Sequence, residues 1–419
     1  MSIQGYDESN FSAILGIYLT PSSSIKTPER LFGRQKQLTQ IQRALASDGR
    51  QAIVHGDRGV GKTSLAQTAA YLINSSSSSP IYVPCGESDT FGDVILALAR
   101  RSIPAEKTIE TSASGGGASL NLFGTGGGFQ NKTNAKIDFQ RPENVNQALE
   151  IVRYISNKSE GIRVAVIDEM ERMANVEERK KFAEFIKNLS ETGGNTKFIF
   201  CGIGRTVEEL IGAHPSAGRV LESIPLPRLH HDELWEIVKT VASKIGVEID
   251  REMLIRIGQL SDGFPHYVHL VAESILWSAF DDTETIEKLQ VRHFKEGISV
   301  ALGRAESTLK QQYDKATLKS RLTIDYEESL WALADTTSDK RQLKEVFESS
   351  YKRIASNHTN KKILSKEELN QRLLTLRKDS HGSVVTGFGS GWFGFRENIL
   401  RGYIRLKAEN SGVILGRNI

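Results

Sequence analysis

Residues 56–64 (GDRGVGKTS) combine glycines, a lysine and two hydroxyl side chains at a spacing that suits phosphate binding. Gly56, Gly61, Lys62 and Thr63 fit the pattern G-x-x-x-x-G-K-[ST]. Glycines let the backbone curl so that its N–H groups point at phosphate oxygens, and the helix expected from Gly61 adds the positive end of its dipole. We therefore expect Lys62 to reach the β- and γ-phosphates of a nucleotide, and the Thr63 hydroxyl to ligate Mg²⁺.

Two adjacent carboxylates, Asp168 and Glu169, supply the second half of such a site. The apolar run 164–167 before them predicts a strand that is covered on both faces. Asp168 then lies at the carboxyl end of that strand, where ligands bind in open parallel sheets. We expect Asp168 to hold Mg²⁺ through water and Glu169 to polarise an attacking water.

The elements that must position these residues can be read from the apolar runs. Buried strands are predicted at 51–55, 164–167 and 197–204. Predicted helices alternate with the strands and cover residues 61–72, 91–102, 143–157 and 177–191. Alternation of strands and helices predicts an α/β fold, a three-layer domain with a parallel sheet.

Further segments resemble a known family. The run 31–38 (LFGRQKQL) is similar to the box that precedes the phosphate loop in AAA+ ATPases of the origin-recognition-like and archaeal-type group, which are related to the STAND ATPases. Residues 217–229 resemble the segment that carries an arginine finger in these proteins, 232–238 the first lid helix, and 261–270 the G-x-P segment of the lid. The resemblance extends over roughly 27–280.

The resemblance implies that ATP binds between the α/β core and the lid, with Mg²⁺ as cofactor. The implied catalytic residues are Glu169, Lys62 and Arg219, and the implied metal ligands are Thr63 and Asp168. The expected nucleotide contacts are Arg34, Gly56, Asp57, Arg58, Gly59, Val60, Gly61, Lys62, Thr63, Ser64, Pro265 and His266.

Three positions leave alternatives open. Arg205 and Arg228 compete with Arg219 for the finger role, and Arg219 is otherwise a surface ion-pair residue. Cys201 stands at the strand end where many relatives place a polar residue that orients water, and a thiol is a poor donor. His266 replaces an arginine that touches phosphate in many relatives, and it is either a phosphate ligand or a structural histidine.

The chain of 419 residues is longer than one ordinary domain. We predict an N-terminal segment (1–26), a P-loop AAA+ core (27–228), a helical lid (229–303) and a C-terminal domain (304–419). Cys85 and Cys201 fall in predicted strands and fit no metal spacing, so we expect buried, reduced thiols in a cytoplasmic protein. No signal-peptide pattern and no apolar run of membrane length is present.

Residues 112–134 carry two triple-glycine clusters around Ser119–Phe123, whose alternation of apolar and polar residues predicts a short hairpin. One interpretation is an insertion that contacts partners or neighbouring subunits, and another is a passive loop. A second nucleotide loop is disfavoured because the segment lacks the Lys-Ser/Thr ending and the following helix.

The end of the chain has a different pattern. Helices are predicted at 326–334, 341–355 and 365–377, the last of them opened by a Ser-x-x-Glu capping box, and residues 383–386 and 392–395 read as a hairpin. Three helices and a hairpin predict a winged-helix domain, which the family resemblance also implies.

The basic charge of this region indicates a polyanionic partner. Residues 351–419 contain 13 Lys and Arg against 5 Asp and Glu, a net charge of +8 in a chain of net charge +3. Arg372, Arg377 and Lys378 on and after the third helix are the candidate DNA-binding residues, and Arg401, Arg405 and Lys407 follow the hairpin. The alternative is a solvated basic face on a domain that acts as a lid or docks a protein.

These patterns together predict an ATP-binding, slowly hydrolysing AAA+-type protein. We expect it to form homo-oligomers through a shared nucleotide site and to couple its nucleotide state to duplex DNA binding or to assembly. The alternative is a STAND-like signalling or defence switch that binds an effector or partner protein.

Overall fold

The computed structural model describes residues 2–21, 23–77, 79–102, 119–121, 136–192, 194–204, 207–211, 217–318, 322–357 and 363–416. The chain divides into two compact units. The sheet unit comprises Ser24–Gly56 and Lys62–Leu226. The helical unit comprises Met1–Ser23, Asp57–Gly61 and Pro227–Ile419, and it contains the first helix, α1 (Glu8–Tyr18).

The sheet unit is built on a parallel sheet of five strands in the order β2-β5-β6-β1-β7. The strands of this unit are β1 (Gln51–Gly56), β2 (Ile81–Pro84), β3 (Ser119–Asn121), β4 (Lys136–Asp138), β5 (Arg163–Asp168), β6 (Thr196–Ile203) and β7 (Leu221–Pro225). Strand β1 pairs in parallel with β6 on one side and with β7 on the other. This arrangement confirms the predicted α/β fold with a parallel sheet.

Helices cover both faces of this sheet, namely α2 (Gln35–Ala46), α3 (Lys62–Ile73), α4 (Phe91–Ser102), α5 (Val145–Lys158), α6 (Val176–Thr192), α7 (Val207–Ile211) and α8 (Ala217–Val220). The face covered by α4, α5 and α6 forms a continuous apolar core. Phe91 and Phe182 meet edge to face in it with their ring centroids 4.9 Å apart. Burial of each such side chain stabilises the fold by about 1.5–3 kcal/mol.

Two details of the sheet unit differ from the sequence prediction. The predicted hairpin at 119–123 is wrong for the described residues, because β3 pairs in parallel with β4, Leu120 opposite Ile137. Cys85 lies one residue beyond β2 rather than in a strand, although its thiol is buried and reduced, as is that of Cys201.

The helical unit contains two consecutive helix sets and a small sheet. Its helices after α1 are α9 (His231–Ile245), α10 (Arg251–Ser261), α11 (Pro265–Phe280), α12 (Val291–Arg304), α13 (Ser307–Thr317), α14 (Thr323–Ala334), α15 (Leu343–Glu345), α16 (Lys352–Ala355), α17 (Lys366–Thr375) and α18 (Ile399–Asn410). Helix α1 joins this unit because Phe11 stacks on Phe280, with 4.4 Å between ring centroids. No helix in the described ranges is long and apolar enough to cross a bilayer.

The small sheet is antiparallel and has the order β8-β10-β9, with β8 (Arg341–Gln342), β9 (Val385–Gly387) and β10 (Trp392–Phe395). The predicted hairpin is present as β9 and β10. The segment predicted as one helix from 341 instead begins with β8, and a π-helical turn, Val346–Tyr351, joins α15 to α16. Ser365 caps α17 as predicted, because its side chain accepts the N–H of Glu368 at 3.2 Å.

A buried ionic cluster lies at the centre of the helical unit. The Asp262 carboxylate is within 3.3 Å of Arg401 Nη1 and 3.2 Å of Arg405 Nη2, and all three side chains are fully buried. Arg228 Nη1 approaches the same carboxylate at 3.2 Å. Arg401 and Arg405, which contribute to the basic residue count of the C-terminal region, are therefore buried and ion-paired inside the fold.

Candidate functional site

The two ends of the glycine loop belong to the sheet unit. Strand β1 ends at Gly56, whose φ of +153° accompanies a close approach to Leu226, since a Cβ here would lie 2.5 Å from that carbonyl oxygen. Helix α3 begins at Lys62, directly after Gly61 with its φ of +96°. The order of strand, glycine loop and helix is the one that the motif requires. Helix α3 therefore directs its free N–H groups towards the loop.

Lys62 is held close to the loop backbone. Its Nζ donates to the carbonyl oxygen of Gly56 at 3.2 Å, and the residue is only 8% exposed. The ammonium is thus folded back over the glycine turn, at the place where a phosphate-binding lysine is needed. The Ser64 hydroxyl accepts the backbone N–H of Ile25 at 3.1 Å, and its contact with a nucleotide stays a prediction.

Asp168 ends β5 and is almost completely buried, with 2% exposure. Its Oδ2 accepts hydrogen bonds from the Thr63 hydroxyl at 2.6 Å and from the Tyr82 hydroxyl at 3.0 Å. Its Oδ1 accepts the backbone N–H of Glu169 at 2.8 Å. None of these three donors carries a positive charge. A buried carboxylate beside a threonine hydroxyl offers the hard oxygen ligands that Mg²⁺ takes. Thr63 and Asp168 therefore fit the predicted role of metal ligands.

Glu169 has a backbone conformation that is unusual for its residue type. Its φ of +56° lies in the left-handed region, where residues with a side chain are uncommon and strained. The turn directs its half-exposed carboxylate towards Arg172, whose Nη1 lies 2.9 Å from Glu169 Oε2. Glu169 therefore directly follows the expected metal ligand Asp168 in sequence, but its carboxylate forms an ion pair with Arg172.

Cys201 lies on β6 next to the loop strand, in register with Val54. Complete burial and the negative charge of Asp168 raise the pKa of its thiol well above the usual value. The thiol therefore keeps its proton and remains a weak donor, which agrees with the expectation that it is a poor substitute for a polar sensor residue.

The tip of the loop, Asp57–Gly61, belongs to the helical unit by its contacts. Asp57 Oδ2 accepts from Asn398 Nδ2 at 2.9 Å and lies 3.4 Å from Arg228 Nη2. Arg58 donates from Nη2 to Glu306 Oε2 at 2.6 Å, and its Nη1 is 3.5 Å from Glu397 Oε2.

Gly59 adds an apolar contact to the hydrogen bonds and ion pairs of the loop tip. A Cβ at this glycine would lie 2.6 Å from Ile399 Cδ1, and the φ of +81° also favours glycine. Val60 is buried, with 1% exposure. The loop tip is thus fixed by hydrogen bonds, ion pairs and apolar packing within the helical unit.

The lid histidine is placed differently from a phosphate ligand. His266 follows Pro265 at the start of α11, and its Nδ1 lies 3.2 Å from the carbonyl oxygen of Pro21. If Nδ1 carries the proton and donates to that carbonyl, Nε2 can accept but cannot donate. Burial lowers the pKa of His266, so the doubly protonated ring that a phosphate would need is disfavoured. The geometry therefore favours the structural interpretation of His266.

The arginine candidates have separate environments. Arg219 is exposed on α8. Arg228 is largely buried, and it pairs with Asp262, Asp57 and Asp339. Arg205 lies outside the described residues. Arg34, the predicted adenine neighbour, is buried at the start of α2. Of the described candidates, Arg219 is thus the one exposed to solvent, as a finger that acts on a neighbouring subunit must be.

The candidate DNA-binding residues are only partly available. Arg377 and Lys378 are exposed after α17. Arg372 instead donates from Nη2 to Asp325 Oδ2 at 2.9 Å, and its guanidinium stacks over the ring of Tyr326. Internal pairing thus reduces the basic character that the residue count of the C-terminal region indicated.

Sequence reasoning missed several residues around the loop. Tyr82 binds Asp168, whereas Asn398, Glu306 and Glu397 bind the loop tip. The alternation of Ile81, Tyr82 and Val83 could have placed Tyr82 on the Asp168 face of the sheet, because the two flanking residues belong to the opposite core. The other three residues carry no local signal, since they are more than 240 positions from the loop.

Fold and site together define a P-loop NTPase. A family model described as "Novel STAND NTPase 1" matches residues 24–388. The chain belongs to this novel STAND NTPase 1 family. This result confirms the resemblance to AAA+ P-loop ATPases related to the STAND group. No curated protein sequence matches the chain.

Three solved structures match the chain over most of its length at low sequence identity. The Walker-type ATPase PABY2304 of Pyrococcus abyssi is 14% identical with a TM-score of 0.53, and the match covers 92% of this chain and 99% of that chain. The ORC1 protein of Aeropyrum pernix, solved in complex with DNA, is 15% identical with a TM-score of 0.44, covering 92% and 95%. The RuvB Holliday junction branch migration motor of Thermotoga maritima is 13% identical with a TM-score of 0.44, covering 93% and 98%.

Proposed function

We propose that the protein binds and slowly hydrolyses ATP with Mg²⁺, and that ATP controls a conformational switch. The observation that carries the ATP proposal is the hydrogen bond of 2.6 Å between Thr63 and Asp168, beside Lys62 at the start of α3. Thr63 and Asp168 would hold Mg²⁺, which would supply positive charge to neutralise the negative charge that develops in the transition state.

Each of the other roles in ATP binding and hydrolysis is assigned to a residue of this chain. Lys62 neutralises phosphate charge, while Thr63 and Asp168 hold the ion. Glu169 polarises the attacking water after its carboxylate leaves Arg172, an exposed ion pair that costs at most about 1 kcal/mol to break. Arg219 completes the site of a neighbouring subunit in a homo-oligomer. The need to free Glu169 and the weak donor at Cys201 both favour slow turnover.

The contacts of the loop tip support the switch. Asn398 binds Asp57, and Glu306 and Glu397 form ion pairs with Arg58. Two carboxylates of the helical unit therefore already pair with the arginine at the loop tip. The phosphates of ATP bring further negative charge to the same loop and compete with these carboxylates for Arg58. We infer that the observed contacts belong to the resting state and that ATP favours their release, which exposes a surface for a partner protein.

Duplex DNA is the second candidate ligand. Helices α14–α17 with the sheet β8-β10-β9 match the element pattern of a winged helix, and Arg377 and Lys378 are exposed beside it. The pairing of Arg372, Arg401 and Arg405 inside the fold favours the partner-protein alternative over DNA.

The ATP proposal is tested by titrating the protein with a fluorescent ATP analogue in Mg²⁺. Lys62→Ala should abolish measurable binding because phosphate charge is left without its cation. Lys187→Ala, which removes an exposed lysine of α6, is the matched control and should bind as the wild type does. Equal affinity of Lys62→Ala and wild type would refute the phosphate-loop assignment.

The DNA proposal is tested by the salt dependence of duplex binding. Each neutralised phosphate should contribute a slope of about −0.9 in log affinity against log salt. Arg377→Glu with Lys378→Glu should weaken binding by orders of magnitude at moderate salt and leave ATP binding unchanged. Absence of duplex binding by the wild type at low salt with ATP would remove DNA as a ligand.

A further inference from the structure

Tyr82 places a second hydroxyl on the carboxylate that is assigned to the metal. Its OH lies 3.0 Å from Asp168 Oδ2, the same oxygen that Thr63 binds at 2.6 Å. One carboxylate oxygen thus accepts two hydroxyl donors. Tyr82 comes from β2, the neighbour of β5 in the sheet, whereas Thr63 comes from α3.

The position of Tyr82 follows from the sheet. Strand β2 runs parallel to β5, with Tyr82 opposite Val166 and Pro84 opposite Asp168. Ile81 and Val83 enter the core on one face, so the alternation of a strand directs Tyr82 to the other face, where Asp168 also points. Because β2 is part of the sheet and not of a loop, it holds the Tyr82 hydroxyl rigidly within hydrogen-bond distance of Asp168.

The two hydroxyls have different fates once a metal binds. The Thr63 hydroxyl has one proton and two lone pairs, so in the proposed site it can donate to Asp168 while a lone pair faces the ion. The Tyr82 hydroxyl has no ligand role in that site, so its contact with the carboxylate serves Asp168 alone.

We propose that Tyr82 is a positioning residue for the metal site: its hydroxyl fixes the orientation of the Asp168 carboxylate from β2, while the Thr63 hydroxyl is shared between that carboxylate and the ion. This inference rests on the proposed function. Removal of hydrogen-bond partners behind metal ligands typically weakens metal affinity by about 10–100-fold. Since Asp168 is expected to act through water, we expect a loss of about tenfold, at the lower end of that range.

The test compares Tyr82→Phe with wild type in Mn²⁺ titrations followed by electron paramagnetic resonance, with a non-hydrolysable ATP analogue present. Phenylalanine keeps the ring and removes only the hydroxyl. Tyr71→Phe, which removes an exposed hydroxyl from α3 and leaves Asp168 untouched, is the matched control. We expect about tenfold weaker Mn²⁺ affinity for Tyr82→Phe and no change for Tyr71→Phe.

Two further measurements separate positioning from a purely structural role. Tyr82→Phe should match wild type in affinity for the analogue in EDTA, and its circular dichroism spectrum should show that it stays folded. Unchanged Mn²⁺ affinity would overturn the inference, and so would an equal loss of metal-free analogue binding. If the wild type itself binds neither Mn²⁺ nor the analogue, the proposed function fails, and the inference fails with it.

Discussion

The contact between Asn398 and the loop tip allows a quantitative test of the switch. Asn398→Ala removes the hydrogen bond of 2.9 Å to Asp57 Oδ2. Asn398 precedes α18 without capping it through its side chain, so no cap is lost. Hydrogen bonds to charged groups contribute about 1.5–3 kcal/mol, and Asp57 has a side-chain exposure of 38%, so we take about 1.5 kcal/mol.

This energy sets the expected shift in ATP affinity. Since 1.4 kcal/mol is a factor of ten, loosening the resting contacts raises the fraction of loop that is free to bind ATP by about tenfold. The apparent dissociation constant of a fluorescent ATP analogue should fall by the same factor in Asn398→Ala. Asn410→Ala, at the exposed end of the same helix, should bind like wild type. Unchanged or weakened binding by Asn398→Ala would refute the view that these contacts oppose ATP.

Three other substitutions test separate parts of the molecule. Glu169→Gln should retain ATP and Mg²⁺ but lose hydrolysis in a phosphate-release assay, because an amide cannot polarise water as a carboxylate does; residual turnover equal to wild type would exclude this role. Arg219→Ala should leave binding intact and slow hydrolysis, and mixing it with Glu169→Gln subunits should restore some activity; no rescue would count against a shared site. Asp262→Asn keeps a residue suited to the left-handed conformation but removes the buried carboxylate that Arg401 and Arg405 share, so denaturant melts should show about 3–5 kcal/mol lost; a loss under 1 kcal/mol would contradict the ionic cluster.

Local patterns were sufficient to predict the strands and the helix that place the glycine loop and Asp168. The apolar runs before Gly56 and Asp168 predict buried parallel strands. The glycines, Lys62 and Thr63 follow the first of these strands at the spacing of a phosphate-binding loop. The hydrogen bond between Thr63 and Asp168 is consistent with this fold, because α3 begins at the carboxyl edge of the sheet, where β5 ends with Asp168. These inferences need only neighbours in sequence and the geometry of a parallel sheet.

Features that depend on distant packing could not be predicted in this way. Strand β7 has the sequence LESIP, with buried residues only at Leu221 and Ile224, so it lacks the continuous apolar run of a central strand. A glycine-rich sequence separates β3 from β4, and the alternation of apolar and polar residues suggests a hairpin as readily as a parallel pair. Charge counts were misleading for Arg401 and Arg405, because a count of basic residues does not reveal that Asp262 lies between them.

The division of the chain into four domains, the oligomer and the cytoplasmic location remain predictions. The structure groups Met1–Ser23, Asp57–Gly61 and Pro227–Ile419 into one unit.

Hydrogen–deuterium exchange of Glu169→Gln, with and without ATP and Mg²⁺, tests the central claim most directly. We predict that ATP protects peptides from 56–64 and increases exchange in peptides that contain Glu306 or 397–399, because phosphate contacts replace those to the helical unit. The same peptides of Lys62→Ala should show no response to ATP. Protection of both regions together, or no change in either, would contradict an ATP-controlled switch at this loop.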